Sequence, residues 1–588
     1  MSNQELIDYL VGLGHRVSTV RSSGNVDFIV ISGFTLPTGK DAGHAVDVGI
    51  QFSTQIPYVA PSAIHVRPPL VAAGTQSSRD SELGSGWQYL SRQAVRVTSP
   101  QAMVAHIVSV LGIRSSHRLD TPGLTHVAEE LAVSMERHLE EVLESHFDKG
   151  PLQEDLTFAY YRLAEGRRRR SLILSRLALP GDGDRNLQGN VAFTQPYLQR
   201  VLDECPADAG IALIHSHLGP GWQDMSEDDV VAERDRLASA VGGRTGLPLL
   251  GLTWGTNGAW SARVWVRETP FRYRRQDVHH VRVVGSRLRV TFHPQLVPSP
   301  PVGKSQVATV SVWGEEAQGV LARVRIGIVG LGSVGSVVAE GLARVGVSNF
   351  VLVDHDRIEL RNLDRTAGAR HVDVRLRRHK VDVAARHIKE SATSEGLDLD
   401  IYRGSLLSGG GLARILDCDV VFSCVDRPWP RHLMNSVAYA NLIPVIDGGI
   451  FVRVHAGRLL HADWRIHTVG PGTACLVCLG ALDIGDVSLD IEGLLDDPDY
   501  MQGLSATQRE AYARRNVFPM SLSVAAHELL QLAGLLSGDD RVRGIGPQRY
   551  HGYPGVMEVE PRSSCLEGCA YSALTASAID LSGTVPVK

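Results

Sequence analysis

The chain contains little cysteine, no long apolar run and no large excess of one charge. Its 588 residues include seven cysteines, and 59 Lys and Arg against 64 Asp and Glu give a formal net charge of −5. A run of about eighteen apolar residues, the least that crosses a bilayer as a helix, is absent. The nearly balanced charge excludes a general attraction to nucleic acid or an anionic membrane. The first residues lack the basic and apolar regions of a secretory signal, so we expect a cytoplasmic protein with neither partner.

The few cysteines are unevenly distributed. The first 204 residues contain none, whereas four of the seven form two close pairs in the last third of the chain. These pairs are Cys475 with Cys478 and Cys565 with Cys569. In a reducing compartment, such spacing favours metal binding over disulfides. Four thiolates fit a closed, structural zinc site.

The order of strand-like and helix-like patterns predicts a multidomain α/β and α+β protein of three parts. Residues 1–120 show strands broken by prolines and predict a small α+β domain. Residues 121–300 alternate strands and helices after a linker helix from Val127 to Phe147, and residues 301–588 begin as a βαβ unit. The four arginines of 167–170 lie beside a glycine and predict a solvated hairpin tip rather than a nucleic-acid site.

A glycine-rich loop opens the third part. Gly330, Gly332 and Gly335 follow a strand pattern and precede a helix pattern. Backbone N–H groups and the positive end of a helix can hold phosphates there, because glycine has no side chain to block them. Asp354 ends the next strand, where a ribose hydroxyl would bind. Up to this residue, a dehydrogenase that binds NAD fits equally well.

The residues beyond Asp354 favour different chemistry. Asp356, Asn362, Arg365, Lys380 and Asp426 add two cations and two further carboxylates to the same strand ends. Hydride transfer needs no such set of charged groups. Cleavage of ATP between its α- and β-phosphates does, because the charge that develops must be met by Arg, Lys and a metal ion.

This segment resembles the ThiF/MoeB-type adenylyltransferase domain, the Rossmann-like catalytic fold of ubiquitin-activating enzymes. The resemblance implies that the three glycines and Asp354, with Asp356, bind the nucleotide, and that Asn362, Arg365 and Lys380 hold the triphosphate. Asp426 would hold magnesium, and Arg365, Lys380 and Asp426 would be catalytic. The family activates the C-terminal glycine of a ubiquitin-like modifier as an acyl-AMP and commonly forms homodimers.

One thiol of many activating enzymes is missing. No cysteine occurs between Cys478 and Cys565, where those enzymes carry the thiol that forms a thioester. We therefore expect either that the modifier is transferred directly from the adenylate or that residues 479–564 serve another purpose.

Two histidines in the second part predict a catalytic zinc site. His215 and His217 end a strand pattern, and Asp229 lies in the first turn of the next helix pattern. Three such ligands leave a fourth position open for water. The pattern resembles the JAB/JAMM metallopeptidase motif, although eight residues rather than seven separate His217 from Ser226. Asp228 therefore stays open as an alternative ligand, while the Ser-x-x-Asp spacing favours Asp229.

The JAB/JAMM resemblance also implies two catalytic side chains outside the metal ligands. Glu154, just before a strand pattern, would take a proton from the water and pass it to the leaving amine. Glu165 at the far end of that strand is the alternative. Ser226 would help to bind the tetrahedral oxyanion. A domain that has lost its activity is the competing hypothesis.

Residues 1–120 resemble the ubiquitin-conjugating fold more loosely, through a first helix, a strand meander and a turn with Tyr58 and Pro61. That fold carries its modifier on a cysteine, because a thiolate is both a good nucleophile and a good leaving group. This part has no cysteine, so we expect a docking or substrate-presenting domain. His65, Ser77 and Ser91 are conceivable alternative nucleophiles, and an unrelated α+β domain is the competing interpretation.

Together these patterns predict a bacterial fusion enzyme that uses ATP, magnesium, one catalytic zinc ion and one structural zinc ion. It would adenylate a ubiquitin-like modifier, and it would also mature the precursor of that modifier or remove the modifier from targets. Two alternatives remain: an adenylyltransferase for sulfur transfer or peptide maturation, and a scaffold with inactive sites.

Overall fold

The computed structural model describes residues 3–35, 45–52, 63–69, 78–91, 103, 107, 130–148, 153–188, 190–269, 272–455, 458–505, 509, 512, 515–537, 546–559 and 564–581. Contacts divide the chain into two compact units. The first comprises Met1–Val127 with Gly242–Leu247, and the second comprises Ala128–Val241 with Pro248–Lys588. Within the described ranges, no helix has the length and apolar character needed to cross a membrane.

The described residues of the first unit include an amino-terminal helix and a six-stranded antiparallel sheet in the order β1-β2-β3-β4-β6-β5. Its elements are α1 (Asn3–Gly12), β1 (Arg16–Arg21), β2 (Asp27–Thr35), β3 (Ala45–Gln51), β4 (Ala63–Arg67), β5 (Ser78–Asp80) and β6 (Gln88–Ser91). Leu6 and Leu10 lie one helical turn apart and share a core with Ile29 and Ile31 of β2. A small α+β unit is thus present, and the predicted turn at Tyr58 and Pro61 lies outside the described residues.

A nine-stranded sheet begins the second unit, in the order β15-β14-β13-β12-β8-β9-β7-β16-β17. The strands, with the separate hairpin β10–β11, are β7 (Glu130–Glu136), β8 (Leu156–Glu165), β9 (Arg169–Ala178), β10 (Arg185–Gln188), β11 (Asn190–Phe193), β12 (Gly210–Ser216), β13 (Leu249–Trp254), β14 (Trp260–Thr269), β15 (Arg272–Asp277), β16 (His280–Val284) and β17 (Leu288–Phe292). The predicted linker helix from Val127 is wrong in its first half. Residues 130–136 form β7, because five consecutive buried residues in Glu130–Glu136 complete the middle of the sheet.

An eight-stranded sheet completes the second unit, in the order β20-β19-β18-β21-β22-β23-β24-β25. Its strands are β18 (Arg325–Val329), β19 (Asn349–Val353), β20 (Asp398–Tyr402), β21 (Val420–Ser423), β22 (Val445–His455), β23 (Arg458–Val469), β24 (Gln548–His551) and β25 (Val556–Val559). The strands from β20 to β22 pair in parallel, and those from β22 to β25 pair antiparallel. This confirms the predicted βαβ opening.

The helices that follow α1 cover the sheets and the connections between them. They are α2 (Arg137–Phe147), α3 (Gln195–Asp203), α4 (Glu227–Val230), a π-helical stretch (Val231–Leu237), α5 (Ala238–Thr245), α6 (Val307–Leu321), α7 (Ser333–Arg344), α8 (His371–Arg375), α9 (Lys380–Ser391), α10 (Gly409–Ile415), α11 (Pro428–Ala440), α12 (Ile484–Ile491), α13 (Pro498–Gly503) and α14 (Phe518–Leu536). Val338 and Leu342 lie one turn apart on α7 and are fully buried, which holds this helix against the parallel strands.

The two sheets of the second unit share a hydrophobic core. Ile173 of β9 and Val284 and Leu288 of β16 and β17 belong to the same buried cluster as Ile328 of β18 and Leu342 of α7. The stretch around residue 300 that was predicted to separate two domains therefore connects elements that pack together.

The arginine run at 167–170 is not a solvated tip, so that prediction is wrong. Arg169 is buried, and its Nη1 lies 2.6 Å from a carboxylate oxygen of the fully buried Asp419, just before β21. Arg167 and Arg168 pair with Asp400 and Asp398 at 3.2 and 2.7 Å. A sequence pattern cannot show these partners, because they lie more than two hundred residues away along the chain.

Candidate nucleotide site and candidate metal centres

A cavity of about 790 Å³ lies at the carboxyl ends of the parallel strands. Its lining contains nearly all the residues predicted to bind a nucleotide: Gly330, Gly332, Asp354, Asp356, Asn362, Arg365, Lys380 and Asp426. They follow strands β18, β19 and β21, whose carboxyl ends meet at one edge of the sheet. The strand order reverses between β18 and β21, and doubly wound α/β folds bind ligands outside the carboxyl ends of the strands at such a point.

The three glycines of the loop have different local roles. Gly330 adopts a φ of +86°, and a Cβ there would lie 2.5 Å from the carbonyl oxygen of Cys424. Gly335, in the first turn of α7, is not part of the lining, and a Cβ there would collide with the carbonyl oxygen of Gly330. Gly332 faces open space, since no described atom lies within 4 Å of an added Cβ. Two glycines therefore permit the turn, and the third leaves its backbone accessible.

Asp354 organises the loop rather than pointing freely into the cavity. Its two carboxylate oxygens accept hydrogen bonds from the backbone N–H groups of Leu331 and Asp356, each at 2.7 Å. Burial raises the pKa of Asp354 above its ordinary value. This carboxylate thus links the end of β19 to the glycine loop.

Lys380 begins α9 and reaches the same cavity. Its Nζ donates to Asp356 at 2.7 Å. Burial opposes ionisation of Asp356, but this hydrogen bond holds the pKa of Asp356 below its ordinary value. A carboxylate oxygen of Asp354, one of Asp356 and a ring nitrogen of His355 also lie within 4.8 Å of one another. The lysine is therefore held at the cavity by Asp356, beside acids that could bind a cation.

Asn362, Arg365 and Asp426 complete the predicted set. The amide oxygen of Asn362 accepts from the backbone N–H of Glu359 at 2.9 Å, which closes the short 3₁₀ turn Leu360–Asn362. Arg365 donates to the exposed Asp364 at 2.9 Å. Asp426 is exposed at the cavity, three residues after β21. The structure thus brings these side chains to one cavity although they lie up to 64 residues apart.

Sequence patterns did not predict a buried acid that precedes the lining residue Gly448. Asp447 accepts hydrogen bonds from Arg431 at 3.1 Å and from Arg465 at 2.8 Å. Burial opposes ionisation of Asp447, but these two arginines hold the pKa of Asp447 below its ordinary value. Arg431 also donates to the backbone oxygen of Gly448, which lines the cavity.

The segment between the cysteine pairs also contributes to the cavity. Arg515 and Asn516 line it, although no motif marks them. The side-chain amide of Asn516 donates to the hydroxyl of Ser333, the first residue of α7, at 2.7 Å. Ser521 receives a second hydrogen bond from that amide at 2.9 Å. Residues 479–564 therefore help to line this cavity.

His215, His217 and Asp229 form a compact group. The Nε2 atoms of the two histidines are 3.2 Å apart, and carboxylate oxygens of Asp229 lie 3.5 and 3.2 Å from them. Zinc bonds of 2.0–2.1 Å in a tetrahedron separate two ligand nitrogens by roughly 3.3 Å. The donor set and its spacing therefore fit a zinc ion with one open position.

Ser226 fixes the position of Asp229. The backbone N–H of Ser226 donates to the Asp229 carboxylate at 2.8 Å, and the backbone N–H of Asp229 donates to the Ser226 hydroxyl at 3.2 Å, which caps α4. Burial opposes ionisation of Asp229, but the two histidines hold the pKa of Asp229 far below its ordinary value. Asp228 is exposed and lies outside the group, so the geometry favours Asp229.

Glu154 lies beside the histidine segment. The next residue, Asp155, exchanges two hydrogen bonds of 3.0 Å with Ser216, which stands between the two histidines. Burial raises the pKa of Glu154, and the charges of His217 and His215 oppose this rise. A half-buried carboxyl group with a raised pKa suits proton transfer. The structure therefore favours Glu154 over the alternative glutamate.

Glu165 is too distant to act on a metal ion held by the histidines. Leu156 at the start of β8 pairs with His215, and Glu165 lies nine residues farther along that strand. At about 3.3 Å per residue, the separation is about 30 Å. Glu165 instead pairs with Arg170 at 3.2 Å.

The four paired cysteines meet although 90 residues separate the pairs. Their sulfur atoms lie within 4.8 Å of one another, and those of Cys475 and Cys569 are 3.7 Å apart. Zinc–sulfur bonds of about 2.3 Å in a tetrahedron place the sulfurs roughly 3.8 Å apart. Backbone N–H groups also donate to Cys565 and Cys475, as is usual for thiolates. All seven cysteines are free of disulfides.

Of the three alternative nucleophiles in the first unit, the structure describes the side chain of His65. His65 is buried between the rings of Phe28 and Tyr89, and its Nδ1 lies 2.6 Å from the hydroxyl of Ser81. This is the environment of a core histidine with a polar partner. Ser77 and the side chain of Ser91 lie outside the described residues.

Residues 304–496 match the model of the ThiF family, so the chain carries a ThiF family domain in its C-terminal part. It is 29% identical over 172 residues to ubiquitin-like modifier-activating enzyme 5 of Drosophila mojavensis, a match that covers 27% of this chain and 41% of that protein. It is also 29% identical over 171 residues to the molybdopterin-synthase adenylyltransferase of Escherichia coli K12, covering 29% of this chain and 62% of that protein. The chain thus spans between two fifths and two thirds of the length of these curated relatives.

The solved structure of E. coli MccB with ATP is also similar. It has a TM-score of 0.35 and 15% sequence identity, and the match covers 46% of this chain and 74% of that one.

Proposed function

We propose that residues 301–588 adenylate the C-terminal carboxylate of a ubiquitin-like modifier with Mg-ATP. The observation that carries this proposal is the cavity at residues 330–426, which collects the glycine loop, Arg365, Lys380 and Asp426 within a ThiF family domain. The matched relatives include an activating enzyme for a ubiquitin-like modifier and an adenylyltransferase.

The side chains have separate roles in this reaction. A carboxylate oxygen of the modifier attacks the α-phosphorus of ATP, and pyrophosphate leaves with the bonding electrons. The backbone N–H groups at Gly332 and the start of α7 can hold phosphate oxygens. Arg365, Asn362 and Lys380 meet the charge that develops on the phosphates, and Asp354 or Asp356 holds the ribose. Asp426 would hold magnesium, which offsets that charge.

Two other functions compete with this proposal. The same domain could adenylate a substrate for sulfur transfer or a peptide for maturation, or the site could be inactive. Because residues 479–564 contain no cysteine, we propose that the modifier passes directly from the adenylate to its acceptor.

Pyrophosphate exchange into ATP tests the adenylation proposal. The purified chain should catalyse exchange only when a ubiquitin-like protein encoded beside it is present, and Asp426→Ala should lower the rate at least about 100-fold. Asp499→Ala, which changes an exposed acid outside the cavity, should leave the rate unchanged. No exchange with any such neighbour would contradict the proposal, and exchange with a short peptide instead would favour peptide maturation.

We also propose that residues 121–300 form a JAB/JAMM-type zinc peptidase that matures or removes the same modifier. The geometry of His215, His217 and Asp229 supports it, as do the position and raised pKa of Glu154. A zinc ion held there would lower the pKa of a water molecule toward neutrality. Glu154 would take the proton of that water and pass it to the leaving amine, and Ser226 would donate to the oxyanion.

Cleavage of a modifier fused through its terminal glycine to a fluorescent protein tests the peptidase. Glu154→Gln should reduce cleavage by a factor of about 100 or more while the chain keeps its full zinc content. Glu165→Gln is the matched control and should cleave normally, because Glu165 lies at the opposite end of β8. Normal cleavage by Glu154→Gln would show that another group is the base.

Several further assignments rest on resemblance. We propose that residues 1–120 form a ubiquitin-conjugating-like docking domain without a catalytic cysteine. The four paired cysteines would hold the structural zinc ion. The protein would act in the cytoplasm of a bacterium, as a homodimer formed through the adenylation domain.

A further inference from the structure

A buried ion pair lies behind the histidine–aspartate group. Glu233 and Arg263 have side chains no more than 1% exposed. The Nε atom of Arg263 donates to a Glu233 oxygen at 3.0 Å, and the indole N–H of Trp265 donates to the same oxygen at 2.7 Å. Gly251 provides the space, because a Cβ there would collide with Glu233 and approach Arg263 closely. Since a buried ion pair is weak evidence for stability, its position suggests a functional reason.

Arg263 links this ion pair to the candidate zinc site through one hydroxyl. Its Nη1 donates to the Oγ1 of Thr253 at 2.5 Å. That oxygen lies 3.3 Å from the Nε2 of His215, the ring atom that also faces His217. Thr253 is fully buried and stands opposite His215 in the parallel pairing of β12 and β13. Its hydroxyl therefore adjoins the position where the ligand atoms converge.

The direction of the hydrogen bonds determines what Thr253 can do. A guanidinium only donates, so the Thr253 oxygen accepts from Arg263 and its own proton must point to another acceptor. When a metal ion takes the lone pair of His215, that nitrogen can no longer accept. An oxygen atom in the open coordination position can then accept this proton.

We propose that Thr253 is a catalytic residue of the zinc peptidase, donating a hydrogen bond to the oxygen of the attacking water or substrate. Arg263 and Glu233 are positioning residues that keep the hydroxyl turned toward this oxygen. The inference rests on the proposed peptidase function. A buried donor aimed where negative charge develops is the arrangement that most lowers a barrier of this kind.

Binding of acetohydroxamate, a small oxygen ligand of zinc, tests this role in the full chain without any modifier. Calorimetric titration of the zinc-loaded protein should show that Thr253→Val weakens binding about tenfold or more, because a hydrogen bond to a charged oxygen is lost. Thr253→Ser should bind like wild type. Thr157→Val removes a buried hydroxyl of the adjacent strand β8 that bonds to backbone oxygens, and it should also bind normally.

Spectroscopy and cleavage supply further readouts. In the cobalt-substituted protein, the pH-dependent change of the visible spectrum should have its midpoint at a higher pH in Thr253→Val than in wild type. Cleavage by Thr253→Val should fall about 100-fold. Thr253→Ala serves as the second hydroxyl-free variant where valine is not accommodated.

The outcomes separate this proposal from the peptidase proposal. Equal acetohydroxamate affinity in wild type and both hydroxyl-free variants, with zinc bound, overturns the role of Thr253 alone. Weaker zinc binding with unchanged acetohydroxamate binding shows that Thr253 only supports His215, and it also overturns that role. Absence of zinc from the wild-type histidine site would overturn the peptidase proposal and this inference with it.

Discussion

At the scale of single residues, glycine has opposite functions at two places in one loop. A Cβ at Gly335 would collide with the carbonyl oxygen of Gly330, whereas one at Gly332 would meet no described atom within 4 Å. Gly335 is required for folding of the loop, and Gly332 is required to keep a space that phosphates can enter.

Alanine substitutions should separate these two functions. Gly332→Ala should leave the melting temperature within about 2 °C of wild type but weaken ATP binding about tenfold or more, because its methyl group occupies the phosphate space. Gly335→Ala should lower the melting temperature by several degrees, since the backbone of Gly330 must move. Calorimetry and ATP titration measure both effects, and a stable Gly335→Ala chain that binds ATP normally would contradict this assignment.

Residue identity and spacing predicted most of the candidate site but not its supporting contacts. Glycines, the His-x-His pair and the cysteine pairs are recognisable because their chemistry requires those residue types at short spacing. Thr253 and Asn516 carry no such pattern, because each acts through partners that only the fold brings close. Arg169 was misread for the same reason, since its acidic partner Asp419 is distant in sequence.

At the scale of elements, the two cysteine pairs join segments that lie beyond the ends of two strands, β23 and β25. Cys475 and Cys478 follow β23, whereas Cys565 and Cys569 lie beyond β25. Their sulfurs nevertheless converge in the cluster that packs against α11 and the end of β23. A zinc ion here would close a long loop, which stabilises the fold by restricting the unfolded chain.

Loss of one thiolate should therefore cost both zinc and stability. Cys569→Ser should lower the zinc content from two ions per chain to one, and the melting temperature should fall by several degrees. His217→Ala should also remove one zinc ion, but it should change the melting temperature less, because the ligands of that second zinc ion lie close together in the chain. Atomic absorption and calorimetry measure these changes, and an unchanged zinc content in Cys569→Ser would contradict a zinc site at the cysteines.

Strand order illustrates which features of the elements a sequence can predict. The βαβ opening at residues 325–353 follows from apolar runs around a glycine loop, and it is confirmed. Residues 130–136 were predicted as helix because their apolar residues run directly into the true helix at 137–147. Only the neighbouring strands β9 and β16, which pair with them on both sides, determine that they form a strand.

At the scale of the second unit, a buried charge cluster joins the two sheets. Asp419 is fully buried and pairs with Arg169 at 2.6 Å and with His280 at 3.2 Å. Glu130 pairs with Arg325 at 2.6 Å in the same region. These contacts connect the nine-stranded sheet to the amino-terminal edge of the parallel strands.

This cluster should make the unit sensitive to acid. Burial lowers the pKa of His280 to about 4, below the 6.5 of an exposed histidine. As the pH drops from 6.5 to 4, the unfolded chain therefore takes up this proton before the folded chain does, and the folded chain loses stability. Burial opposes ionisation of Glu130, but Arg325 and Arg169 lower the pKa of Glu130 to about 2. The stability that ionised Glu130 contributes is therefore fully present above pH 4.5 and is lost as the pH falls from 4.5 to 2. The free energy of unfolding of His280→Gln, measured with urea, should depend less on pH between 6.5 and 4 than that of wild type. The same dependence on pH in both proteins would contradict this role of His280.

The same interface separates the two proposed active sites. The histidine group lies about 30 Å along β8 from the hairpin that contacts Asp417 and Asp419. The nucleotide cavity lies at the opposite edge of the parallel strands from these acids, and among the described residues, none of 128–300 lines it. A modifier terminus released at one site must therefore leave the chain before it can enter the other.

Mixing single-site variants tests whether the two activities use separate binding events. A precursor with residues beyond its terminal glycine yields pyrophosphate only after cleavage, so the coupled rate depends on both sites. Two mixtures are compared. The first contains equal amounts of the Glu154→Gln and Asp426→Ala chains, and the second contains equal amounts of wild type and the doubly substituted chain. Both mixtures contain the same number of intact sites of each kind, so both should release pyrophosphate with the same lag and rate. A shorter lag with wild type would show direct transfer within one chain, and it would require a path between the sites that the positions of β8 and β21 do not provide.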